Sequence, residues 1–277
     1  MIPEYDVHVH TIWSGHSHAS ATVTGLAARA EALGMKLLCF SEHVHGPESL
    51  PPLAHIRRSI AELQPSCRCR LVFGAEIDAD PDRSDGSLIT SPPPGVELVI
   101  GSIHFLPGTR LLPPWDPVPP GTDQETVFQR WRETIMGLAA NRQVDVIGHP
   151  GALIFNAVEV TFFDRILAVM REAAHISAAR GQAWDVNNLI FAKLKEPYRR
   201  DYRRVIRLAY EVGVPLLYGS DTHNLAALGG YRDIAALWQH LEQPPLCELL
   251  RLPGWLARRF QVAAATDGDA TAIRGRK

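Results

Sequence analysis

At 277 residues the chain is long enough for one large α/β domain or two small ones, and its 46% apolar content suits an ordinary globular core. A formal net charge of −2 without a basic block leaves no electrostatic footprint for a nucleic acid partner, and no apolar run reaches the roughly 20 residues that span a bilayer. The opening MIPEYD lacks a signal-peptide layout, so a cytoplasmic protein is expected, with Cys39, Cys67, Cys69 and Cys247 as reduced thiols.

Ile2 to Val9 reads as a short strand, with β-branched Val7 and Val9 and with Pro3 at its entry. Alternation along a strand puts His8 and His10 on one side, where two imidazoles can grip one metal ion. Thr11 to Gly15 reads as a loop that could bring His16 back over the same spot. A His-x-His pair alone occurs often by chance, so the rest of the chain decides its weight.

Thr22 to Leu33 has apolar residues at helical spacing, with Thr22 or Thr24 as cap and Gly34 as the stop. Lys36 to Ser41 reads as a buried strand with Glu42-His43 at its carboxyl end, and Pro52 to Leu63 as a helix. Arg70 to Ala75 is a third strand, ending in Glu76; Asp80 to Gly95 is loop. Val96 to Ile103 is a fourth strand, with His104 after it. Residues 107–122 are too Pro-rich for regular structure, and Thr122 or Asp123 caps a helix running to about Ala140. Val144 to Gly148 is a fifth strand, followed by His149-Pro150-Gly151. Phe162 to Arg180 is an amphipathic helix stopped by Gly181, and Gln182 to Val186 is a sixth strand, ending at Asn187-Asn188. Glu196 to Val212 is a helix with Gly213 behind it, and Val214 to Tyr218 is a seventh strand, followed by Gly219-Ser220-Asp221-Thr222-His223. Gly230 to Leu241 and Pro253 to Val262 are the last helices, and 263–277 is expected as a disordered tail behind a single domain over 1–262.

Strand and helix repeated seven times imply a parallel sheet with helices outside it, and right-handed crossovers let that sheet close into a barrel. Such barrels carry their chemistry at the carboxyl ends of the strands. His8, His10, His43, Glu76, His104, His149, Asp221 and His223 all fall at such ends. An open doubly wound sheet is the alternative, but no glycine-rich dinucleotide loop follows the first strand.

With His16 added, seven histidines and two acids exceed the roughly four ligands of one zinc ion. They suit two or three ions sharing carboxylates, with Glu76 and Asp221 as the bridging candidates. Imidazole serves zinc, iron and manganese alike, so the set does not choose the metal. Of the other five histidines, His55, His175 and His240 read as ordinary surface or core residues. His18 and His45 lie close to ligand candidates and are candidates for proton transfer.

HVHTIWSGH, SEH, the glutamate of GAEID, the histidine of GSIH, GHPG and GSDTH occur in the order found in the PHP (polymerase and histidinol phosphatase) superfamily, over about residues 2–241. The chain resembles its free-standing members, most of all the histidinol-phosphate phosphatases of histidine biosynthesis. The resemblance implies a distorted (β/α)7 barrel with a trinuclear metal centre. One ion would take His8, His10, Glu76 and Asp221, a second Glu76, His104 and His149, and a third His16, His43 and His223. All nine ligand positions are filled. One departure concerns the stretch after the sixth strand, which is Arg-rich in that subgroup and here reads LIFAKLKEPYRR, with Lys193, Lys195, Arg199 and Arg200. Lys193 and Asn187 are the substrate-binding candidates.

These readings meet on metal-assisted hydrolysis of a phosphomonoester, L-histidinol phosphate first, by a hydroxide bridging two ions. His18, His45 or a metal would assist the leaving alkoxide. A phosphoesterase for a nucleotide or sugar phosphate, and a metal-binding accessory domain without catalysis, are the alternatives.

Overall fold

A computed structural model describes residues 2–105, 121–194, 196, 198–239 and 245–262, without the side chain of Asn156. Lys195, His240, the tail over 263–277 and all but the last two residues of the Pro-rich stretch lie outside the described residues.

Seven strands form one sheet in sequence order: β1 (Tyr5–Val9), β2 (Leu37–Val44), β3 (Arg70–Asp78), β4 (Leu98–Ser102), β5 (Val146–Ile147), β6 (Ala183–Asn187) and β7 (Leu216–Gly219). Every pairing is parallel. The helices are α1 (Val23–Ala32), α2 (Leu50–Leu63), α3 (Gln124–Ala140), α4 (Ala152–Ala157), α5 (Phe163–Arg180), α6 (Asn188–Lys193), α7 (Tyr198–Val212), α8 (Arg232–Trp238), α9 (Leu246–Leu250) and α10 (Gly254–Arg259). None of these helices is long and apolar enough to cross a membrane.

The ring closes at its carboxyl mouth. There β1 meets the segment after β7: Val9 bridges Thr222 in parallel, the His10 amide donates to the Thr222 carbonyl at 3.0 Å, and the Asp221 amide donates to the His8 carbonyl at 2.8 Å. Lower down, the Tyr218 amide donates to Tyr5 Oη at 2.8 Å, and that hydroxyl donates to the Leu249 carbonyl at 2.9 Å. The result is the distorted (β/α)7 barrel that the family resemblance implies, with apolar layers between the strands and the flanking helices.

Two strands run past the ends read from hydrophobicity. β2 continues through Glu42 and His43, and β3 through Glu76 to Asp78, because their pairing persists as His43↔Glu76 and Val44↔Ile77. Hydropathy ends a strand at its first polar residue; here the polar residues stay buried in the ladder. The short helices α4, α6 and α9 went unread. α4 starts directly after Gly151, whose φ of 82° turns the chain, and α6 is capped by the Asn187 side chain, which accepts from the Ile190 amide at 2.9 Å.

Candidate metal centre

The strand ends and the loop after β1 bring the expected residues into one largely buried cluster around Glu76. His8 and His10 share a face of β1, and their Nε2 atoms lie 3.2 and 3.5 Å from Glu76 Oε2. His43 Nδ1, from β2, stands 2.8 Å from the same oxygen. The other oxygen, Oε1, faces His149 Nε2 at 3.1 Å and His104 Nε2 at 3.4 Å, and accepts from Ser102 Oγ at 2.6 Å. Asp221 Oδ1 lies 3.1 Å from His10 Nε2 and 3.9 Å from His8 Nε2. At the open side, the exposed His16 ring packs on His223 at 4.4 Å and on His43 at 5.2 Å between centroids.

A ring of acids behind these side chains orients them. Asp185 Oδ2 accepts from His8 Nδ1 at 2.7 Å, and Asp185 Oδ1 accepts from the His149 amide. Asp78 accepts from His104 Nδ1 at 2.6 Å, and Glu42 faces His10 Nδ1 at 3.4 Å while accepting from the Thr11 amide at 2.9 Å. Carboxylates on the outer ring nitrogen of ligating histidines fix the tautomer that leaves the other nitrogen free for a cation. Glu42, Asp78 and Asp185 were not singled out from the sequence. Their signal was a charged residue inside an otherwise apolar strand, in FSEHV, GAEID and AWDVN.

Backbone geometry serves the same end. His149 and Asp221 are two of the three described non-glycine residues at positive φ, 27° and 54°. Such conformations cost roughly 1–3 kcal/mol each and persist where surroundings hold them; here the held groups are the His149 and Asp221 amides already described. Gly148 and Gly219 are demanded by close approach. A Cβ on Gly148 would lie 2.1 Å from Ser102 Oγ, and one on Gly219 would lie 2.8 Å from His8 Cβ.

The donor set fits cations. Four buried atoms, His8 Nε2, His10 Nε2, His43 Nδ1 and Glu76 Oε2, have no hydrogen-bond partner. Once His8 Nδ1–H is given to Asp185, its Nε2 is a lone pair facing carboxylate lone pairs, and only a cation or an extra proton between them removes the repulsion. His104 Nε2 and His149 Nε2, 3.2 Å apart, and His43 Nε2 and His223 Nε2, 3.4 Å apart, repeat the pattern. Among the described residues the groups able to hold an ion are His8, His10 and Glu76; Glu76, His104 and His149; His10, His43 and His223; and His43, His45 and His104.

The charges respond accordingly. Burial would raise Glu76, but His8, His104 and His43 outweigh it and hold its carboxyl well below the usual range. Burial works against protonation of His8, His10 and His104, yet the carboxylates around them prevail; His8 rises well above its ordinary value, and His10 and His104 are pushed up to about 9. His43 and His223 go the other way, to about 3, through burial and then the neighbouring His10.

The remaining candidates divide. His45 sits beside the cluster with Nδ1 on Asp78 Oδ2 at 2.6 Å. His18 is exposed; its amide donates to the His223 carbonyl at 2.9 Å, and its Nδ1 accepts from the Ser20 amide at 3.1 Å. Asn187 is fully buried. Its Nδ2 donates to Asp185 and Asp221 at 3.1 Å each while its Oδ1 caps α6, so it holds Asp221 and presents no open face to a substrate. Lys193 ends α6 within electrostatic reach of Asp221; burial lowers its ammonium below the ordinary lysine range against the pull of that carboxylate. Arg199 lies over the Phe191 ring and donates to the Ala192 carbonyl at 3.1 Å, and Arg200 pairs with Asp201 at 3.1 Å, so both serve the α6–α7 junction.

Residues 6–188 match the PHP domain family. A probable phosphatase of Thermoanaerobacter sp. (strain X514) is 25% identical over 231 residues, 82% of this chain and 82% of its own length. A probable phosphatase of Caldanaerobacter subterraneus subsp. tengcongensis is 27% identical over 248 residues, 86% of this chain and 84% of its own length. Among solved structures, histidinol phosphate phosphatase from Lactococcus lactis subsp. lactis Il1403, complexed with zinc, L-histidinol and phosphate, superposes with a TM-score of 0.57 at 19% identity, over 86% of this chain and 94% of that one. At that identity the likeness bears on the fold. With two thirds of its length matched to the family and the barrel and histidine cluster in place, the chain belongs to the PHP domain family.

Proposed function

We propose that this chain is a metal-dependent phosphomonoesterase for a small phosphate ester, with L-histidinol phosphate as the leading substrate. It is a hydrolase of phosphoric ester bonds. What supports this is the set of buried, mutually facing acceptors on His8, His10, His43 and Glu76, which suits cations at the mouth of the barrel. Three ions of zinc, iron or manganese suit nine side chains: His8, His10, Glu76 and Asp221; Glu76, His104 and His149; and His16, His43 and His223. When bound, the ions supply Lewis-acid charge against phosphate oxygens and lower the pKa of water from 15.7 to about 7, so that hydroxide is present at neutral pH.

The chain's own part is to hold this set rigid and to seat the ester. Asp185, Asp78 and Glu42 lock the rings, and Asn187 locks Asp221. Lys193 is our candidate to meet the phosphate, and His18 and His45 are the candidates for a proton to the leaving alkoxide. Elemental analysis of protein purified without chelator should find well over one equivalent of metal; one ion or fewer, unchanged by added metal, counts against three.

Lys193→Ala is expected to raise KM for a phosphomonoester about tenfold with metal content intact, corresponding to about 1.4 kcal/mol of lost binding. A lysine is a flexible point charge, so the effect should be similar across esters. A flat KM with metals bound would make it a solvated residue at the mouth. The function as a whole is tested by turnover of L-histidinol phosphate, a nucleoside monophosphate and a sugar phosphate by metal-loaded protein. Histidinol phosphate should give the highest kcat/KM. If a nucleotide or sugar phosphate leads, the substrate assignment changes; if no ester is cleaved with metals bound, the phosphatase reading falls.

A further inference from the structure

Outside the nine side chains just assigned, one histidine among the described residues carries the same mark as the ligands. His8 gives Nδ1 to Asp185, His104 gives Nδ1 to Asp78, His16 to the Ser14 carbonyl at 3.0 Å, and His223 to the Asp221 carbonyl at 3.0 Å. In each case the outer nitrogen is held by an anionic or carbonyl oxygen, so that the inner one is free to ligate. His45 does the same. Its Nδ1 lies 2.6 Å from Asp78 Oδ2, while the other oxygen of that fully buried carboxylate holds His104 at 2.6 Å. His18 does not: its Nδ1 accepts from the Ser20 amide, which leaves Nε2 as the protonated nitrogen of the neutral ring.

We infer that His45 is a tenth metal-ligating residue, clamped by Asp78 together with His104, and that it ligates on the side of the centre shared by His43 and His104. One ring nitrogen from each of His43, His45 and His104 lies within 4.8 Å of the others, and the His45 ring stacks on His43 at 4.8 Å between centroids. His43 is nine-tenths buried, and its Nδ1 has no hydrogen-bond partner. With Nδ1–H given to Asp78, the neutral form of His45 presents a lone pair at Nε2 that can bind a divalent cation, and in that role it leaves the proton for the alkoxide to His18 or a metal. Asp78 is then a positioning residue for two ligands at once, which explains a buried acid two residues past Glu76 in GAEID.

This rests on the metal-dependent reading above. The test uses full-length protein loaded with zinc and titrated with a competing chelator, alongside the visible spectrum of the cobalt-substituted form. His45→Ala should release its most weakly held ion at a free-metal concentration at least tenfold higher than wild type and should alter the cobalt bands. Asp78→Asn, which disturbs His45 and His104 together, should cost at least as much. His45→Gln, closer in size, guards against a folding defect and should behave as His45→Ala. A wild-type release profile and cobalt spectrum in both His45 variants overturns the inference and leaves the phosphatase reading standing. So does a variant that keeps its metals while its loss of turnover grows with the basicity of the leaving group, since His45 is then the proton donor. A wild-type protein that takes up no metal overturns both.

Discussion

Glu76→Gln is expected to lower turnover of any phosphomonoester by at least three orders of magnitude while the barrel stays folded. The carboxylate is the hub of the cluster: Oε2 faces His8, His10 and His43, and Oε1 faces His104 and His149. The amide keeps the shape and one acceptor but turns the second position into a donor and removes the charge. A donor aimed at imidazole nitrogens can satisfy one of them, yet it cannot bridge two cations. The loss should therefore appear in metal content as well as in kcat, and adding metal should not restore either. Electrostatic stabilisation of a transferring phosphoryl group is commonly worth several kcal/mol, and each 1.36 kcal/mol is tenfold in rate. Circular dichroism should remain that of wild type, because the amide fills the same space as the carboxylate. Near-wild-type turnover with full metal content would remove Glu76 from the site.

How far the sequence reached depends on which physical signal each part leaves. The seven strands were legible because both faces of a parallel barrel strand are buried, giving short apolar runs such as LLCF and LVFGA bounded by turn residues. Eight of the cluster residues were legible because polar groups at the ends of such runs have no packing reason to be there, and His16 because a short loop could return it to the end of β1. The acids that orient them were not legible on the same ground, since Asp185 and Asp78 lie inside strands that the apolar reading either ended early or passed over. The partner of each is also distant in the chain: Asp185 meets His8 across 177 positions. Asn187 misled for a related reason. An amide next to a strand end can equally face a ligand or cap the following helix, and α6, only six residues long, has no periodicity to reveal that there is a helix to cap. His149 and Asp221 show the reverse case, where a positive φ at a non-glycine residue points to a site that local preference alone would not choose.

Removing the metals is expected to destabilise the fold as well as abolish turnover, and to do so increasingly as pH rises. Six acids are buried about the cluster and its strands, Asp6, Glu42, Glu76, Asp78, Asp185 and Asp221. Uncompensated, each buried charge costs several kcal/mol. In metal-free protein the compensation comes from protons on His10 and His104, pushed up to about 9, and on His8, raised well above its ordinary value of 6.5. A group whose pKa is raised on folding contributes stability that is complete below its unfolded value and lost as pH passes its folded value. The chelated protein should thus lose stability from about pH 6.5 upward, most steeply between about pH 7 and 8.5, with the contribution of His10 and His104 levelling off above about 9. In the loaded protein the ions stand where those protons stood, so this slope should be absent. At free metal a thousandfold above Kd, binding adds about 4.1 kcal/mol. For a domain of this size that raises Tm by on the order of 10 °C. Thermal unfolding at pH 6, 7.5 and 9, with and without chelator, reads both effects. Coincident curves with and without chelator at pH 9 would mean that the buried acids are balanced without metal, and the cation reading of the cluster would fail with them.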